Sequence, residues 1–229
     1  QALEIYFGLP LTWGYILSSL VIIPMVFYGF RFISKLQVYT QPLWLILMIL
    51  PYFFVIQKEP GIINSFLNLE GSVNGGNSFN LYYFGLAAGV SFSLIAQIGE
   101  QVDYLRFMPN LTKENKVRWW SSVLFAGPGW IILGFLKQVG GIFFAALIIL
   151  AGHGIAHANE PTQMYLIAYA YVFENPELVL GVSTLFVVVS QIKINVTNAY
   201  AGSLAWSNFF SRLSYSHPGR VVWLVFNIA

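Results

Sequence analysis

The residues best suited to chemistry are three amides and one ammonium group within a single apolar stretch. Gln191, Asn195 and Asn198 are spaced i, i+4 and i+7, which places them on one face of a helix, with Lys193 on roughly the opposite face. Amides both donate and accept hydrogen bonds, so these side chains can match the edge of a nucleobase or a cyclic urea. Hydrogen bonding between neighbouring helices would explain the same residues, and that alternative stays open.

Lys193 is the most informative single residue of this stretch. A lysine deep in an apolar segment should be paired, deprotonated or turned toward water, unless it reaches the headgroups from near a helix end. We therefore predict a role in charge or ion coupling for Lys193.

A second stretch, 81–101, carries a small-and-polar stripe. The stripe recurs every four residues, at Gly85, Gly89, Ser93 and Gln97. Close helix packing explains the two glycines equally well. It explains Gln97 and Glu100 less well, because an acid at depth costs roughly 2.5–3.5 kcal/mol and needs a partner or a watery cavity. Gly89 and Gly99 are also places where a helix can unwind and offer its backbone to a solute.

Other kinds of chemistry have little support in the sequence. The chain has no cysteine, and His153 and His157 have helical metal-ligand spacing without a third ligand, so no metal site is predicted. It has no Ser-His-Asp set and no glycine-rich phosphate loop, so we do not expect an enzyme or a resident cofactor. A net charge of +2 without a basic stripe argues against a nucleic-acid partner.

The elements that must position these residues are membrane-spanning helices. The chain is 57% hydrophobic and 9% charged, whereas a soluble domain has roughly 25% charged residues. Five apolar segments and a truncated sixth are predicted, at about 11–33, 41–56, 81–101, 119–150, 178–200 and 221–229. Gly127-Pro128-Gly129 should kink the fourth segment or mark its start.

Charge placement predicts how these segments are oriented. The odd-numbered connections carry most of the lysines and arginines, whereas the even-numbered ones carry Lys58 alone. By the positive-inside rule the odd-numbered connections are cytoplasmic. We expect one multi-pass domain over residues 1–229 of an inner-membrane protein from a bacterium. We also expect a fragment cut at both ends, whose partners are the bilayer and the remaining helices of its parent chain.

Two stretches carry a family resemblance. The first, Asp103-Tyr104-Leu105-Arg106-Phe107, resembles the Asp-aromatic-x-Arg-aromatic signature that closes the sixth helix of the nucleobase:cation symporter-1 family, the purine–cytosine, allantoin and hydantoin permeases. The second, residues 195–208, is similar to the asparagine-rich eighth helix and its exit in cytosine permeases. The resemblance implies a leucine-transporter-type inverted repeat, with the five complete segments as the fourth to eighth helices.

The resemblance also implies site residues. It places Ser93, Ala96 and Gln97 in a sixth-helix substrate pocket, and Asn195 and Asn198 in an eighth-helix pocket. The chain departs from the family pattern where sodium-coupled members have a Ser/Thr pair, because Lys193 and Ile194 stand there. This departure predicts function without sodium, with Lys193 as a built-in cation or a proton-responsive group.

The resulting expectation is secondary transport of a nucleobase or related heterocycle by alternating access. The coupling cation is left open between a proton and sodium. The alternative is a transporter-like sensor module of a signalling protein, which a kinase or cyclase domain after the last helix would reveal.

Overall fold

The computed structural model describes residues 1–70, 78–95, 97–215 and 219–228, and within these ranges the chain forms helices and no strands. In chain order the helices are α1 (Ala2–Phe7), α2 (Leu11–Phe27), α3 (Phe30–Lys58), α4 (Ile62–Leu67), α5 (Leu81–Ile95), α6 (Gln97–Leu105), α7 (Lys116–Ala126), α8 (Trp130–Leu150), α9 (Ile155–Ala158), α10 (Pro161–Ala170), α11 (Pro176–Ser214) and α12 (Arg220–Ile228). They form two units, one of Gln1–Pro60 with Ala151–Ala229 and one of Gly61–Leu150.

Within the described residues, four helical segments are long and apolar enough to cross a membrane. They are Phe30–Lys58, Leu81–Leu105, Trp130–Leu150 and Pro176–Ser214. Even the shortest, with 21 residues, reaches the roughly 30 Å thickness of the hydrocarbon core at about 1.5 Å per residue. Phe84 and Phe92 on α5 are 57% and 69% exposed, which an aqueous surface tolerates poorly. The all-α chain therefore has the features of a membrane-embedded protein.

The first two predicted segments differ from the helices. The helix predicted to run from 11 to 33 ends at Phe27, and at 17 residues α2 is a shorter apolar helix. The break falls at Gly29, whose φ of 80° favours glycine. The predicted segment 41–56 is the later part of α3, which begins at Phe30, so Arg31 and Lys35 lie on the helix and not in a loop.

The fifth predicted segment also changes length. Instead of spanning 178–200, α11 begins at Pro176, where the Asn175 side chain accepts hydrogen bonds from the backbone N–H groups of Glu177 and Leu178 at 2.8 and 3.4 Å. It continues to Ser214. The expectation that residues 195–208 include an exit from the helix is therefore wrong, since no proline interrupts this stretch and its one glycine is accommodated within the helix.

A tyrosine from α10 explains how α3 passes through Pro51 without ending. Proline has no N–H group, so the carbonyl of Leu47, four residues earlier, loses its helical partner. The hydroxyl of Tyr169 donates to that carbonyl oxygen at 2.6 Å, and Tyr169 is fully buried. The tyrosine thus replaces the missing backbone hydrogen bond and joins α10 to α3.

We expect Tyr169→Phe to lower the free energy of unfolding by about 1–3 kcal/mol, because a buried carbonyl would be left without a donor. Thermal unfolding of the detergent-purified protein measures the effect. Tyr39→Phe is the matched control, since Tyr39 is 80% exposed. Equal melting temperatures for the two variants would contradict this role of Tyr169.

The same two helices are joined again where α3 ends. The hydroxyl of Tyr171 donates to Oε2 of Glu59 at 3.2 Å. Burial raises the pKa of Tyr171, and the charge of the Glu59 carboxylate and this hydrogen bond raise it further. The phenol therefore stays protonated and remains a donor at physiological pH.

The predicted fourth segment, 119–150, divides into α7 and α8 at Gly127-Pro128-Gly129, which confirms the predicted break. A Cβ atom on Gly129 would lie 2.6 Å from the carbonyl oxygen of Leu124 and 2.9 Å from Cα of Phe125. A Cβ atom on Gly127 would lie 2.7 Å from the carbonyl oxygen of Val123. Backbone atoms cannot move aside easily, so the turn between α7 and α8 requires both glycines.

Helix α12 packs along the later part of α11. The rings of Phe210 and Trp223 stack with centroids 4.5 Å apart, and Nε1 of Trp206 donates to Oδ1 of Asn227 at 3.1 Å. Gly202 leaves the space that the Asn227 amide fills, because a Cβ atom there would lie 2.7 Å from Oδ1. Aromatic side chains of α11 and α12 thus join these two helices.

Candidate functional site

The first unit contains a cavity of about 510 Å³ between α1, α2 and α11. Most of its wall is aliphatic, from residues such as Leu17, Val21 and Val188. Its polar side chains come from four helices and the residue preceding α1, and they are Gln1, Glu4, Tyr15, Ser18, Thr162, Gln191 and Asn195. The cavity is open on one side, since Tyr15 is 72% exposed and Glu4 and Gln191 are exposed as well. A concave, largely apolar surface with a few converging polar groups is typical of a small-molecule site.

Only part of the amide face of α11 lines this cavity. Gln191 and Asn195 line it, as their spacing of four residues on one helix face allows. Asn198, almost one turn further along, is exposed and is not part of the lining. Of the predicted substrate residues on α11, Asn195 is therefore the one that the structure places on the cavity wall.

Lys193 lies on another face of α11 and joins it to α3. The residue is only 8% exposed. Its ammonium group donates to the carbonyl oxygen of Gln37 at 3.2 Å and to Oγ1 of Thr40 at 3.0 Å. Its Nζ atom also lies 6.0 Å from the ring centroid of Trp44. The buried charge thus meets oxygen atoms and a π face.

The contact between Lys193 and α3 is reciprocal. Nε2 of Gln37 donates to the carbonyl oxygen of Lys193 at 2.9 Å, and Nε1 of Trp44 donates to Oγ of Ser190 at 2.9 Å. The polar side chains of α11 that face away from the amides therefore serve as interhelical contacts with α3. Hydrogen bonding between helices was the alternative explanation for the amides. In the structure it is the Lys193 face of α11 that forms such bonds.

The second unit positions Gln97 beside an indole and an ammonium group. Nε1 of Trp130 donates to Oε1 of Gln97 at 3.2 Å, and Nζ of Lys137 lies 5.2 Å from the ring centroid of Trp130. Trp130 begins α8, directly after the break between α7 and α8. The Gln97 amide therefore has a partner within its own unit.

The remaining stripe on α5 and α6 forms no enclosed site within the described residues. The exposed Ser93 donates from Oγ to the Val90 carbonyl of its own helix at 2.7 Å, and Glu100 is half-buried on α6. Ala96 lies outside the described residues. A Cβ atom on Gly85 or Gly89 would meet no described atom within 4 Å. The close packing suggested by these glycines is therefore absent from the described part of the chain.

Helical unwinding at the glycines is also absent. Gly89 lies within α5 and Gly99 within α6, so the backbone is helical at both of the positions where it could have unwound. Hydrogen bonds between flanking backbone groups hold both short helices.

The Asp103–Phe107 motif closes α6. Helix α6 ends at Leu105, and Nε of Arg106 donates to the carbonyl oxygen of Asp103 at 3.1 Å. The Arg106 guanidinium also lies 5.0 Å from the ring centroid of Phe107. An arginine that binds a carbonyl of the last turn stabilises a helix C-terminus.

No protein-family model, curated protein or solved structure matches the chain. The resemblance to the nucleobase:cation symporter-1 family therefore stays a prediction that rests on the two stretches at 103–107 and 195–208.

Several site residues were not singled out in the sequence. Glu4 and Thr162 lie outside the predicted segments, and no pattern connects them to α11 before the chain folds. Gln37 and Thr40 carry a usable signal, because they are polar residues spaced i and i+3 at the entry to an apolar helix. Polar residues in such a position are candidate partners for a buried lysine.

Proposed function

We propose that the chain belongs to a secondary transporter, and not to an enzyme, and that it moves a nucleobase or related heterocycle by alternating access. The observation that carries this proposal is a 510 Å³ cavity lined by two amides of α11, Gln191 and Asn195. The proposed architecture is the inverted-repeat bundle that the family resemblance implies.

The chemistry of the cavity suits a flat polar heterocycle. Ring N–H and C=O groups alternate along the edge of such a solute, and an amide side chain can pair with both. Aliphatic side chains and the Tyr15 ring provide apolar surface for the faces of the ring. The cavity volume lies within the roughly 300–1,000 Å³ that small-molecule sites occupy.

Lys193 supports transport without sodium. Its ammonium group donates to two oxygen atoms, the carbonyl oxygen of Gln37 and the hydroxyl oxygen of Thr40. Oxygen atoms of these two kinds are the ligands that hard metal cations prefer. We propose that the ammonium group takes the place of a coupling sodium ion between α3 and α11.

Asn195→Ala in the full-length protein is expected to weaken heterocycle binding by about 10–100-fold, which corresponds to about 1.4–2.7 kcal/mol for the hydrogen bonds lost with the amide. Binding of radiolabelled cytosine and adenine to proteoliposomes measures the effect. Asn198→Ala is expected to cost less, because Asn198 does not line the cavity.

Asn208→Ala is the matched control for this experiment, since Asn208 is exposed on the same helix and lies outside the cavity. Absence of binding by any purine or pyrimidine, or equal affinity in the Asn195 and Asn208 variants, would overturn the proposal. Uptake into the same vesicles separates a transporter from a sensor, which would bind the solute without moving it.

A further inference from the structure

One carboxylate lies on the wall of the cavity, and its position indicates which heterocycles the cavity admits. Glu4 on α1 lines the cavity together with Gln191 and Asn195 of α11. Helix α1 contacts both α2 and α11, which brings the exposed Glu4 to the same cavity as the amides. Among the described lining residues, none is a lysine, an arginine or a histidine.

An ionised carboxylate makes different demands from an amide. It accepts hydrogen bonds and donates none, so the solute must offer it N–H donors or positive charge. A donor or a positive charge on the solute is therefore attracted to this carboxylate, and an anion is repelled by it. The lining provides no basic side chain to compensate a negatively charged solute.

We propose, on the basis of the transport function proposed above, that this cavity selects amino-substituted heterocycles, neutral or protonated, and rejects anionic ones. Glu4 is the specificity-determining residue, and it accepts a hydrogen bond from the exocyclic amine, and a second from the adjacent ring nitrogen where that nitrogen is protonated. The amides of α11 bind whichever donors and acceptors the rest of the ring presents. An oxo-substituted ring directs a carbonyl oxygen toward the carboxylate and binds less well.

Three pyrimidines of nearly equal size test this selectivity: cytosine with an amine, uracil with a carbonyl in its place, and orotate with an added carboxylate. Competition against radiolabelled cytosine is measured with the full-length protein in proteoliposomes. The expected order of affinity is cytosine, uracil and then orotate, with about tenfold or more between successive solutes. Uracil lacks the amine donor, and orotate adds a negative charge that the carboxylate repels.

The variant Glu4→Gln removes the charge and keeps the shape. It is expected to weaken cytosine binding by about tenfold and to bring uracil level with cytosine, because an amide can donate to the uracil carbonyl. Glu174→Gln is the matched control, since Glu174 is exposed in the same unit and does not line the cavity. It should leave the order of affinity unchanged.

The outcomes separate this inference from the proposed function. If Asn195→Ala weakens all three solutes while Glu4→Gln leaves their order unchanged, the cavity is the binding site and the role of Glu4 is wrong. Tighter binding of orotate than of cytosine by the wild-type protein would also overturn the inference, without any variant. Failure of every heterocycle to bind would overturn both.

Discussion

Replacing Gly129 by valine is expected to lower the stability of the second unit by about 3 kcal/mol or more, the largest structural effect that we predict. The first carbon of the new side chain would lie 2.6 Å from the Leu124 carbonyl oxygen and 2.9 Å from Cα of Phe125. Both are backbone atoms at the end of α7. Relief of the clash must therefore separate α7 from α8 and displace Trp130 from Gln97.

Gly134→Val is the matched control, because Gly134 lies within α8 and a Cβ atom there would meet no described atom within 4 Å. Size-exclusion chromatography of heated samples gives the apparent melting temperature of each variant. The Gly134 variant should behave like the wild-type protein, since valine is no worse than glycine within a helix. Similar melting temperatures for the two variants would contradict the clash at Gly129, because they would mean that the turn accommodates a side chain.

Sequence predicted this break because its cause is local. Gly-Pro-Gly combines a residue that cannot continue a helical hydrogen bond with two that allow unusual backbone conformations. The boundary between the first two helices was predicted at the wrong place, because a single glycine in an apolar stretch, such as Gly29, is common within membrane helices and does not by itself predict a break. Within α3 both prolines are tolerated, and at Pro51 the reason is a hydroxyl from α10 that no local pattern reveals.

The candidate site was predictable to the extent that it lies on one helix. Spacing on α11 placed Asn195 and Lys193 on different faces, and the structure agrees, with Asn195 on the cavity and Lys193 against α3. Spacing cannot show which residues of other helices meet those faces. Glu4 lies more than 150 residues before Asn195, and Thr40 lies 153 residues before Lys193, so their roles depend on tertiary packing.

The stripe on α5 shows the opposite outcome. Gly85 and Gly89 follow a spacing typical of packed membrane helices, yet both are exposed in the described part of the chain. A motif of small residues indicates that a close approach is possible, and the partner must come from elsewhere. Sequence periodicity therefore identified a face without identifying its neighbour.

Lys193→Met is expected to reduce sodium-free uptake by the full-length protein on the order of a hundredfold, which corresponds to about 2.7 kcal/mol. The ammonium group holds α11 against α3 through Gln37 and Thr40, and a thioether can make neither contact. Folding should survive, because an apolar side chain of similar size in place of a buried charge is often neutral or stabilising. The variant thus removes the charge and its hydrogen bonds while it keeps a side chain of similar size.

Lys58→Met controls for the loss of a lysine from the same pair of helices, since Lys58 is exposed at the end of α3. Uptake into proteoliposomes is measured with and without sodium, and melting temperatures are taken from the same preparations. If Lys193 occupies the position of a coupling ion, its loss stops uptake in both media while Lys58→Met changes neither. Wild-type uptake that requires sodium and is unaffected by Lys193→Met would overturn that role, because a buried ammonium group among cation ligands and a working sodium site exclude one another.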